Sequence, residues 1–327
     1  MSVAEPRRRR RDALRAAPDG APRPAAPFGR GPLAGRVLGR VIDTAAWVGC
    51  RVPGGLAHGL AAVGGTCEWA LRPRKRRVLA HNLSHAVGLP PEAPRVRRLV
   101  RREMLNEARR SADLLWALGR REEFLATVVL EEGAHARDAT RDGRGVILAG
   151  IHLGGWEVAT AVPAALMDVP VTVITADDWL AWAIDHKRAE AGLRVMYRTE
   201  PALRAARLLR RGEALLMLGD DEAGGEVRSF PVRFLDGRAV LPGGVVSLAR
   251  LSGAAIVCFY VLPDGPRRWR VVVDPPVAAP GRDEGERGEA RVLQELADRW
   301  SAVIRAHPDQ WAASHRIRWV TDGEDPA

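Results

Sequence analysis

The sequence predicts an α/β fold in which a central mixed, largely parallel sheet is flanked by helices and preceded by N-terminal amphipathic helices. Two observations predict the sheet. Short apolar runs recur at 146–151, 171–175 and 214–218, and stretches with helical spacing alternate with such runs along the chain. Such alternation is typical of sheets with helices on both faces. A third observation predicts the helices in front, because apolar residues between 36 and 118 recur three and four positions apart.

The N-terminal segment, residues 1–35, is rich in arginine, proline and alanine. Residues 7–11 are all arginine, and the segment lacks the apolar core of a signal peptide, so we expect a disordered basic tail. The folded part is predicted as one domain at 36–319, helical at 36–120 and α/β at 121–319. Residues 320–327 are predicted to form a second disordered tail.

The first two predicted helices, at 36–49 and 56–71, carry Trp47 and Trp69. Amphipathic helices with tryptophan suit a membrane interface, and they equally suit a helical hairpin packed on the domain. Charged residues and Pro53 interrupt the stretch 37–71, so that no run reaches the ~18 apolar residues of a spanning helix. We therefore expect these helices to lie on a membrane rather than to cross it.

A third helix is predicted at 95–118, with apolar residues along one face. Its other face carries arginines, namely Arg97, Arg98, Arg101, Arg102, Arg109 and Arg110. The whole chain has a formal net charge of +10, which indicates an anionic partner. An anionic membrane surface, an acidic protein and nucleic acid all fit that description.

The α/β part is predicted to contain strands at 146–151, 171–175, 195–197, 214–218, 255–262 and 269–273. Helices are predicted at 157–166, 178–191, 201–211, 244–251 and 284–307. Ligands of such folds gather at the carboxyl ends of the strands. His152 and Asp220 each lie just past such an end, which makes this edge of the sheet the expected site.

His152 is the candidate general base, because a neutral imidazole suits the removal of a proton from a hydroxyl nucleophile. We expect it in the turn between a strand and a helix, with Glu157 inside the helix accepting the other ring proton. Gly154 and Gly155 would permit the turn and leave backbone N–H groups free to stabilise an oxyanion. Trp156 either walls a substrate channel or packs in the core.

Acidic residues follow the strand at 214–218. Asp220 and Glu222 are candidates for orienting hydroxyls of a substrate or for binding a cation, with Glu226 as a further acidic candidate. Arg228 and Arg233 are candidates for holding a phosphate. The alternative for all of them is a set of solvated ion pairs. Because no Cys and His spacing of a metal site stands out, we predict neither a metal nor a cofactor.

Several segments occur in an order that resembles a known family: HLGGWE at 152–157, GDDEAG at 219–224, FPVRFLDG at 230–237, LARLSGA at 248–254, and HPDQW at 307–311 followed by His315 and Arg316. They resemble the bacterial lipid A biosynthesis lauroyl/myristoyl acyltransferases of the glycerol-3-phosphate/lysophospholipid acyltransferase superfamily. The chain is also similar to the phosphatidylinositol mannoside acyltransferases. The resemblance runs from about residue 36 to about residue 319.

The resemblance implies a glycerol-3-phosphate acyltransferase-like fold and an O-acyltransferase. Such an enzyme moves a fatty acyl group from acyl-ACP or acyl-CoA to a hydroxyl of a membrane glycolipid or phospholipid. It also implies His152 as general base and Glu157 as its support, and it places Arg316 near the ligand. We then expect a peripheral protein at the cytoplasmic face of the cell membrane, bound to its anionic surface and not to nucleic acid.

The chain departs from the family pattern in ways that leave the acceptor and the acyl-chain length open. Glu222 stands where the family has a second aspartate, the segment 232–237 is longer and more polar, and residues 312–314 lack a further tryptophan. One alternative is an acyl-thioester hydrolase, although its candidate nucleophiles Ser247 and Ser252 lie outside a Gly-x-Ser-x-Gly sequence. Another is a basic lipid- or nucleic-acid-binding protein without catalysis, although no nucleic-acid module is recognisable.

Overall fold

The structure is a computed structural model that describes residues 32–140, 143–158, 161–221, 228–315 and 317–320. The two predicted tails lie largely outside these ranges. The first described helix begins at Pro32, four residues before the predicted start of the domain.

Four helices form the N-terminal part: α1 at Pro32–Gly49, α2 at Gly54–Leu71, α3 at Pro73–Val87 and α4 at Pro94–Gly119. The first, second and fourth agree with the predicted helices to within a few residues, whereas α3 was not predicted. Helices α1, α2 and α3 all pack on α4. Gly65 lies at the crossing of α2 and α4, where an added Cβ would stand 2.8 Å from the carbonyl oxygen of Met104.

A seven-stranded sheet forms the centre of the α/β part. Its strands are β1 Val128–Glu131, β2 Val146–Gly150, β3 Val171–Thr175, β4 Leu193–Tyr197, β5 Ala214–Leu218, β8 Ala255–Pro263 and β9 Trp269–Val273, in the order β1-β9-β8-β2-β5-β3-β4. Strands β8, β2, β5, β3 and β4 are parallel, whereas β9 runs antiparallel to β8 and β1 runs parallel to β9. The predicted mixed, largely parallel sheet is therefore confirmed.

A second, three-stranded sheet was not predicted. It consists of the hairpin β6 Ser229–Phe234 and β7 Gly237–Pro242, with β10 Arg318–Trp319 on the outer side of β7. Along β6 exposed and buried residues alternate, which is the pattern of a half-buried strand. That alternation is visible in the sequence, where Arg228 and Arg233 were interpreted only as candidate phosphate ligands.

Helices cover both faces of the large sheet. They are α5 Arg121–Ala126, α6 Ala134–Asp138, α7 Ala161–Leu166, α8 Trp179–Glu190, α9 Ala202–Arg210, α10 Gly244–Ser252 and α11 Gly285–Ala306, with short 3₁₀ turns at Arg282–Glu284 and Pro308–Gln310. Strand β2 shows the two-sided burial directly, because Ile147 and Ala149 belong to one apolar cluster and Val146 and Leu148 to another.

One apolar cluster joins the helical part to the α/β part. It contains Leu79 of α3, Val96 of α4, Ile147 of β2 and Leu296 of α11. This shared core is what a single domain at 36–319 requires, although the exact boundaries stay a prediction. Within the described ranges, none of the helices combines the length and the apolar character needed to cross a bilayer.

Candidate active site

His152 and Asp220 are neighbours because of the register of two central strands. Strands β2 and β5 are adjacent and parallel, and Gly150 lies opposite Leu218. The N–H of Gly219 extends the ladder by donating to the carbonyl of Gly150 at 3.0 Å. Residues at equal distances past this pair therefore emerge side by side at the carboxyl edge of the sheet.

The Asp220 carboxylate is fully buried and accepts several hydrogen bonds. Nδ1 of His152 donates to Oδ1 at 2.7 Å, and the backbone N–H of His152 reaches both carboxylate oxygens, at 3.0 and 3.1 Å. The indole Nε1 of Trp311 donates to Oδ2 at 3.0 Å. Because a carboxylate only accepts, the proton of a neutral His152 ring lies on Nδ1. Nε2 is then left with a lone pair, as a general base requires.

The carboxylate beside the imidazole belongs to Asp220, and this corrects the expectation that Glu157 orients the ring. The expected helix does not begin at Glu157, because residues 153–157 form bridges and turns and α7 begins only at Ala161. Glu157 is half-buried and lines the same cavity as His152. Asp220 cannot orient a substrate hydroxyl either, since its buried oxygens are taken by His152 and Trp311.

The pair shifts the pKa values of both partners. Burial lowers the pKa of His152, but the charge and the hydrogen bond of Asp220 outweigh it and raise the pKa above its ordinary value. Burial alone would raise the pKa of Asp220, yet the His152 ring holds it well below its usual range. Burial raises the pKa of Glu157, against the opposing charge of Arg188.

Gly154 and Gly155 do not leave their N–H groups free, contrary to the expected oxyanion site. The N–H of Gly154 donates to the carbonyl of Gln310 and that of Gly155 to the carbonyl of Val261, each at 2.8 Å. Gly154 has φ +58°, and an added Cβ would stand 2.0 Å from the Val261 carbonyl oxygen. A Cβ on Gly155 would stand 2.4 Å from the ring of Trp269. The glycines therefore allow the loop to lie directly on β8 and β9.

A segment near the C-terminus, residues 310–315, contacts the loop 151–158 that carries His152. We call this loop the catalytic loop, after the role expected for His152, and the segment 310–315 the C-terminal strap. Besides the bond from Gly154, the N–H of Ala312 donates to the carbonyl of His152 at 2.7 Å, and Leu153 pairs with Trp311 in an antiparallel bridge. The sequence identified this region only through the family resemblance. The hydrogen bond from the Trp311 indole to Asp220 could not be predicted from the sequence spacing.

His152 opens onto a cavity of about 540 Å³, a size typical of small-molecule sites. The wall is mostly apolar and is built from strands and helices of the α/β part, through residues that include Val173, Ile184, Met196, Leu216, Leu248 and Phe259. Trp156 also lines the cavity, with its ring centroid 4.7 Å from that of His152. Its role as the wall of an acyl channel stays a prediction.

Three arginines line the cavity beside this apolar surface. Arg188 is buried and donates to Asp185 at 2.9 Å. Arg198 lies 3.6 Å from Asp221 in a partly exposed ion pair. Of these, only Arg228 was predicted from the sequence, and it lies 3.3 Å from an exposed glutamate, Glu286. Arg188 lies on α8 and carried no recognisable sequence signal. Arg198 lies just past the carboxyl end of β4, which is the signal that could have identified it.

The other predicted site residues divide into two groups. Arg233 is exposed on β6, where its backbone N–H and carbonyl bond the side chain of Gln294, and it does not line the cavity. Glu222, Glu226 and Arg316 lie outside the described residues.

Two alternatives can be compared with the geometry. Ser247 lines the cavity but donates to Glu289, and Ser252 donates to the carbonyl of Leu248. Neither hydroxyl therefore has the histidine partner that a serine nucleophile needs. In the part of the chain that the structure describes, the residues closest to a metal-ligand set are His152, Asp220 and His315. They bond one another and backbone carbonyls instead.

Comparisons with known proteins place the chain among acyltransferases. Residues 46–321 match the family model described as bacterial lipid A biosynthesis acyltransferase. A phosphatidylinositol mannoside acyltransferase of Mycolicibacterium smegmatis is 29% identical over 313 residues, which cover 90% of this chain and 97% of that protein. Among solved structures, the 1-acyl-sn-glycerophosphate acyltransferase PlsC of Thermotoga maritima is similar with a TM-score of 0.34 and 12% identity, over 78% of this chain and 99% of that chain.

The close approach of Gly154 to β8 predicts a stability effect. Gly154→Ala should lower the free energy of unfolding by more than the ~1–3 kcal/mol of backbone strain alone, because the new methyl group also meets the Val261 carbonyl. Gly253→Ala is the matched control, since Gly253 has φ +77° and open space at its Cβ position. Urea unfolding of both variants measures the difference. Equal losses would contradict the proposed contact.

Proposed function

The chain belongs to the bacterial lipid A biosynthesis acyltransferase family, whose model covers residues 46–321, and we propose that it transfers a fatty acyl group from acyl-CoA or acyl-ACP to a hydroxyl of a membrane glycolipid or phospholipid. Membership of this family implies acyltransferase activity on lipid-related substrates. The name of the Mycolicibacterium smegmatis relative, a phosphatidylinositol mannoside acyltransferase, favours a glycolipid as the acceptor.

The observation that carries the proposal is the His152–Asp220 pair at the wall of a large apolar cavity. The cavity suits a fatty chain, because burying alkyl groups there removes apolar surface from water. The pair suits proton transfer, because Asp220 fixes the tautomer of the ring and stabilises the imidazolium that forms. The two features lie together, as acyl transfer to an alcohol requires.

The reaction follows from that placement. Nε2 of His152 takes the proton of the acceptor hydroxyl while the oxygen attacks the thioester carbonyl. The tetrahedral intermediate collapses, the C–S bond breaks, and the leaving thiolate takes the proton from the His152 imidazolium. An ester and a free thiol result, and the enzyme returns to its starting protonation state without a covalent acyl-enzyme.

The cavity arginines suit the charged parts of the substrates. Arg188, Arg198 and Arg228 line the same space as His152, and guanidinium groups bind phosphate by charge-assisted hydrogen bonds. We assign them to phosphates of the donor or of the acceptor headgroup. The acidic and basic residues outside the described ranges, Glu222 and Arg316 among them, stay candidates for the acceptor.

The N-terminal helices suit attachment to the surface of a membrane. Exposed large apolar side chains of the described residues are concentrated on α1 and α2: Val37, Val41, Trp47, Val48, Leu56, Leu60, Val63 and Leu71. Exposed basic residues, Arg72 and Arg74, follow directly. Such a combination binds an anionic lipid surface. We propose a peripheral position at the cytoplasmic face, where soluble thioester donors are available.

Helix α1 also links the proposed membrane surface to the cavity. Asp43 of α1 lies 3.1 Å from His186 and 3.0 Å from Lys187 of α8. The same helix α8 supplies Ile184 and Arg188 to the cavity wall. A lipid acceptor in the bilayer would therefore lie close to the catalytic histidine.

The proposed reaction predicts that His152→Ala loses ~10²–10⁴-fold in rate. Purified enzyme is given acyl-CoA or acyl-ACP with phosphatidylinositol mannoside or phosphatidylglycerol in vesicles, and ester products are measured by mass spectrometry. With the wild type, the rate should rise with pH and reach half its maximum above pH ~6.5, because the base acts only when it is neutral. Turnover in His152→Ala equal to the wild type would refute the mechanism, and thioester loss without an ester product would indicate a hydrolase.

The hydrogen bonds predict different effects for the two acids. Asp220→Asn should lower kcat by roughly 10³–10⁴-fold, because an amide can donate to Nδ1 and so stabilise the wrong tautomer. Glu157→Gln should cost less than about tenfold, because Glu157 does not hold the ring. Circular dichroism checks that both variants fold. An equal loss in both variants would contradict the assignment of Asp220 as the orienting acid.

The apolar surface predicts a membrane-binding variant. Leu60→Glu, at a side chain 60% exposed on α2, should weaken co-sedimentation with phosphatidylglycerol vesicles by about tenfold or more, because a charge replaces buried alkyl surface. Leu203→Glu is the control, since Leu203 is 58% exposed on α9, a helix that packs on α10 and β5. If both substitutions had the same effect, α2 would not be the surface that meets lipid.

A further inference from the structure

His315 is the second histidine near the catalytic carboxylate, and both of its ring nitrogens face backbone carbonyl oxygens. Nδ1 lies 2.9 Å from the carbonyl oxygen of Ala312, and Nε2 lies 2.9 Å from the carbonyl oxygen of Asp220. A carbonyl oxygen can only accept a hydrogen bond. A neutral imidazole carries one N–H, so one of these contacts would bring two lone pairs together. A ring with both nitrogens protonated satisfies both contacts.

The surroundings of His315 favour a positive charge. Nε2 is also 3.7 Å from Oδ2 of Asp220, and only 14% of the His315 side chain is exposed. A buried carboxylate is costly unless a positive charge or strong donors compensate it. If both histidines were neutral, hydrogen bonds alone would compensate the charge of Asp220. A protonated His315 balances that charge while leaving His152 neutral.

We propose that His315 is held as an imidazolium by the two carbonyls and acts as a positioning residue whose charge keeps His152 in its neutral, proton-accepting form. The ring centroids of the two histidines are 4.9 Å apart. A positive charge at that distance disfavours a second one on His152. This inference rests on the proposed role of His152 as general base.

The protonation of His152 depends on all charged groups that face the two histidine rings. Among the described residues, the acids acting on His152 are Asp220, Asp221 and Glu157. They all favour protonation of His152, and the guanidinium groups of Arg110 and Arg188 act mainly on Glu157. His315 is therefore the cation placed to oppose Asp220 directly. Without it, the general base would stay protonated to a higher pH.

The backbone of the C-terminal strap keeps His315 in this position. Asn82 of α3 donates from Nδ2 to the carbonyls of Ala313 and His315, at 2.8 and 3.0 Å, and accepts the indole N–H of Trp319 at 2.9 Å. The strap is thus attached to the helical part on one side and to the catalytic loop on the other. These hydrogen bonds fix the strap in the position in which His315 contacts Asp220.

The first test is the pH dependence of His315→Gln, in which a neutral amide replaces the ring. Loss of the charge should move the acid limb of kcat/KM upwards by about one pH unit or more. Activity on the acid side should then fall about tenfold for each unit of the shift and recover at alkaline pH. His307→Gln is the control, because His307 lies outside the strap and the cavity that His152 lines. A loss by the same factor at every pH would overturn the proposal in favour of a structural role.

The second test measures the protonation of His315 without any acyl transfer. In protein labelled with ¹⁵N in the histidine rings, both nitrogens of His315 should be protonated at pH 7, with the ring identified by its proximity to the Trp311 indole. A neutral tautomer at pH 7 would overturn the proposal even if His315→Gln failed to fold. Failure of the proposed acyl transfer would instead appear in the His152→Ala assay and leave this measurement unchanged.

Discussion

The buried carboxylate of Asp220 is the group on which the arrangement of the site depends. It is reached by the ring and backbone of His152 and by the indole of Trp311, which belong to segments far apart in the chain. A carboxylate removed from water destabilises the fold strongly if its partners are lost. The catalytic loop and the C-terminal strap are therefore held in one geometry, and the imidazole is oriented before a substrate arrives.

The sheet could be predicted more fully than the site. Strands at 171–175, 214–218 and 269–273 were predicted at their observed bounds, because short runs rich in apolar and β-branched residues indicate where a buried strand begins and ends. The hairpin β6–β7 was missed, although its alternation is plain. The helix predicted at 157–166 is present only from Ala161 to Leu166, because bridges to Trp311 and Val261 hold the chain before it in place of helical hydrogen bonds.

The pairing of His152 with Asp220 could not be predicted for a related reason. Sequence spacing places Glu157 near His152, whereas the order of the strands places Asp220 there, 68 residues later. Strand order is a property of the whole sheet, and no local pattern encodes it. The role expected for Gly154 and Gly155 was wrong for a similar reason. Because they lack a side chain, they lie in close contact with β8 and Trp269, and their N–H groups are not free to bind an oxyanion.

The connection between α11 and the strap has a fixed length. Helix α11 ends at Ala306, and the turn Pro308–Gln310 is fastened by Asn106 of α4, which donates to the carbonyl of Asp309 at 2.9 Å. One inserted residue would displace the indole by roughly 3.3 Å, beyond reach of the carboxylate. We therefore expect variants of this connection to differ by substitution, and insertions or deletions to occur in loops that are not held by such hydrogen bonds.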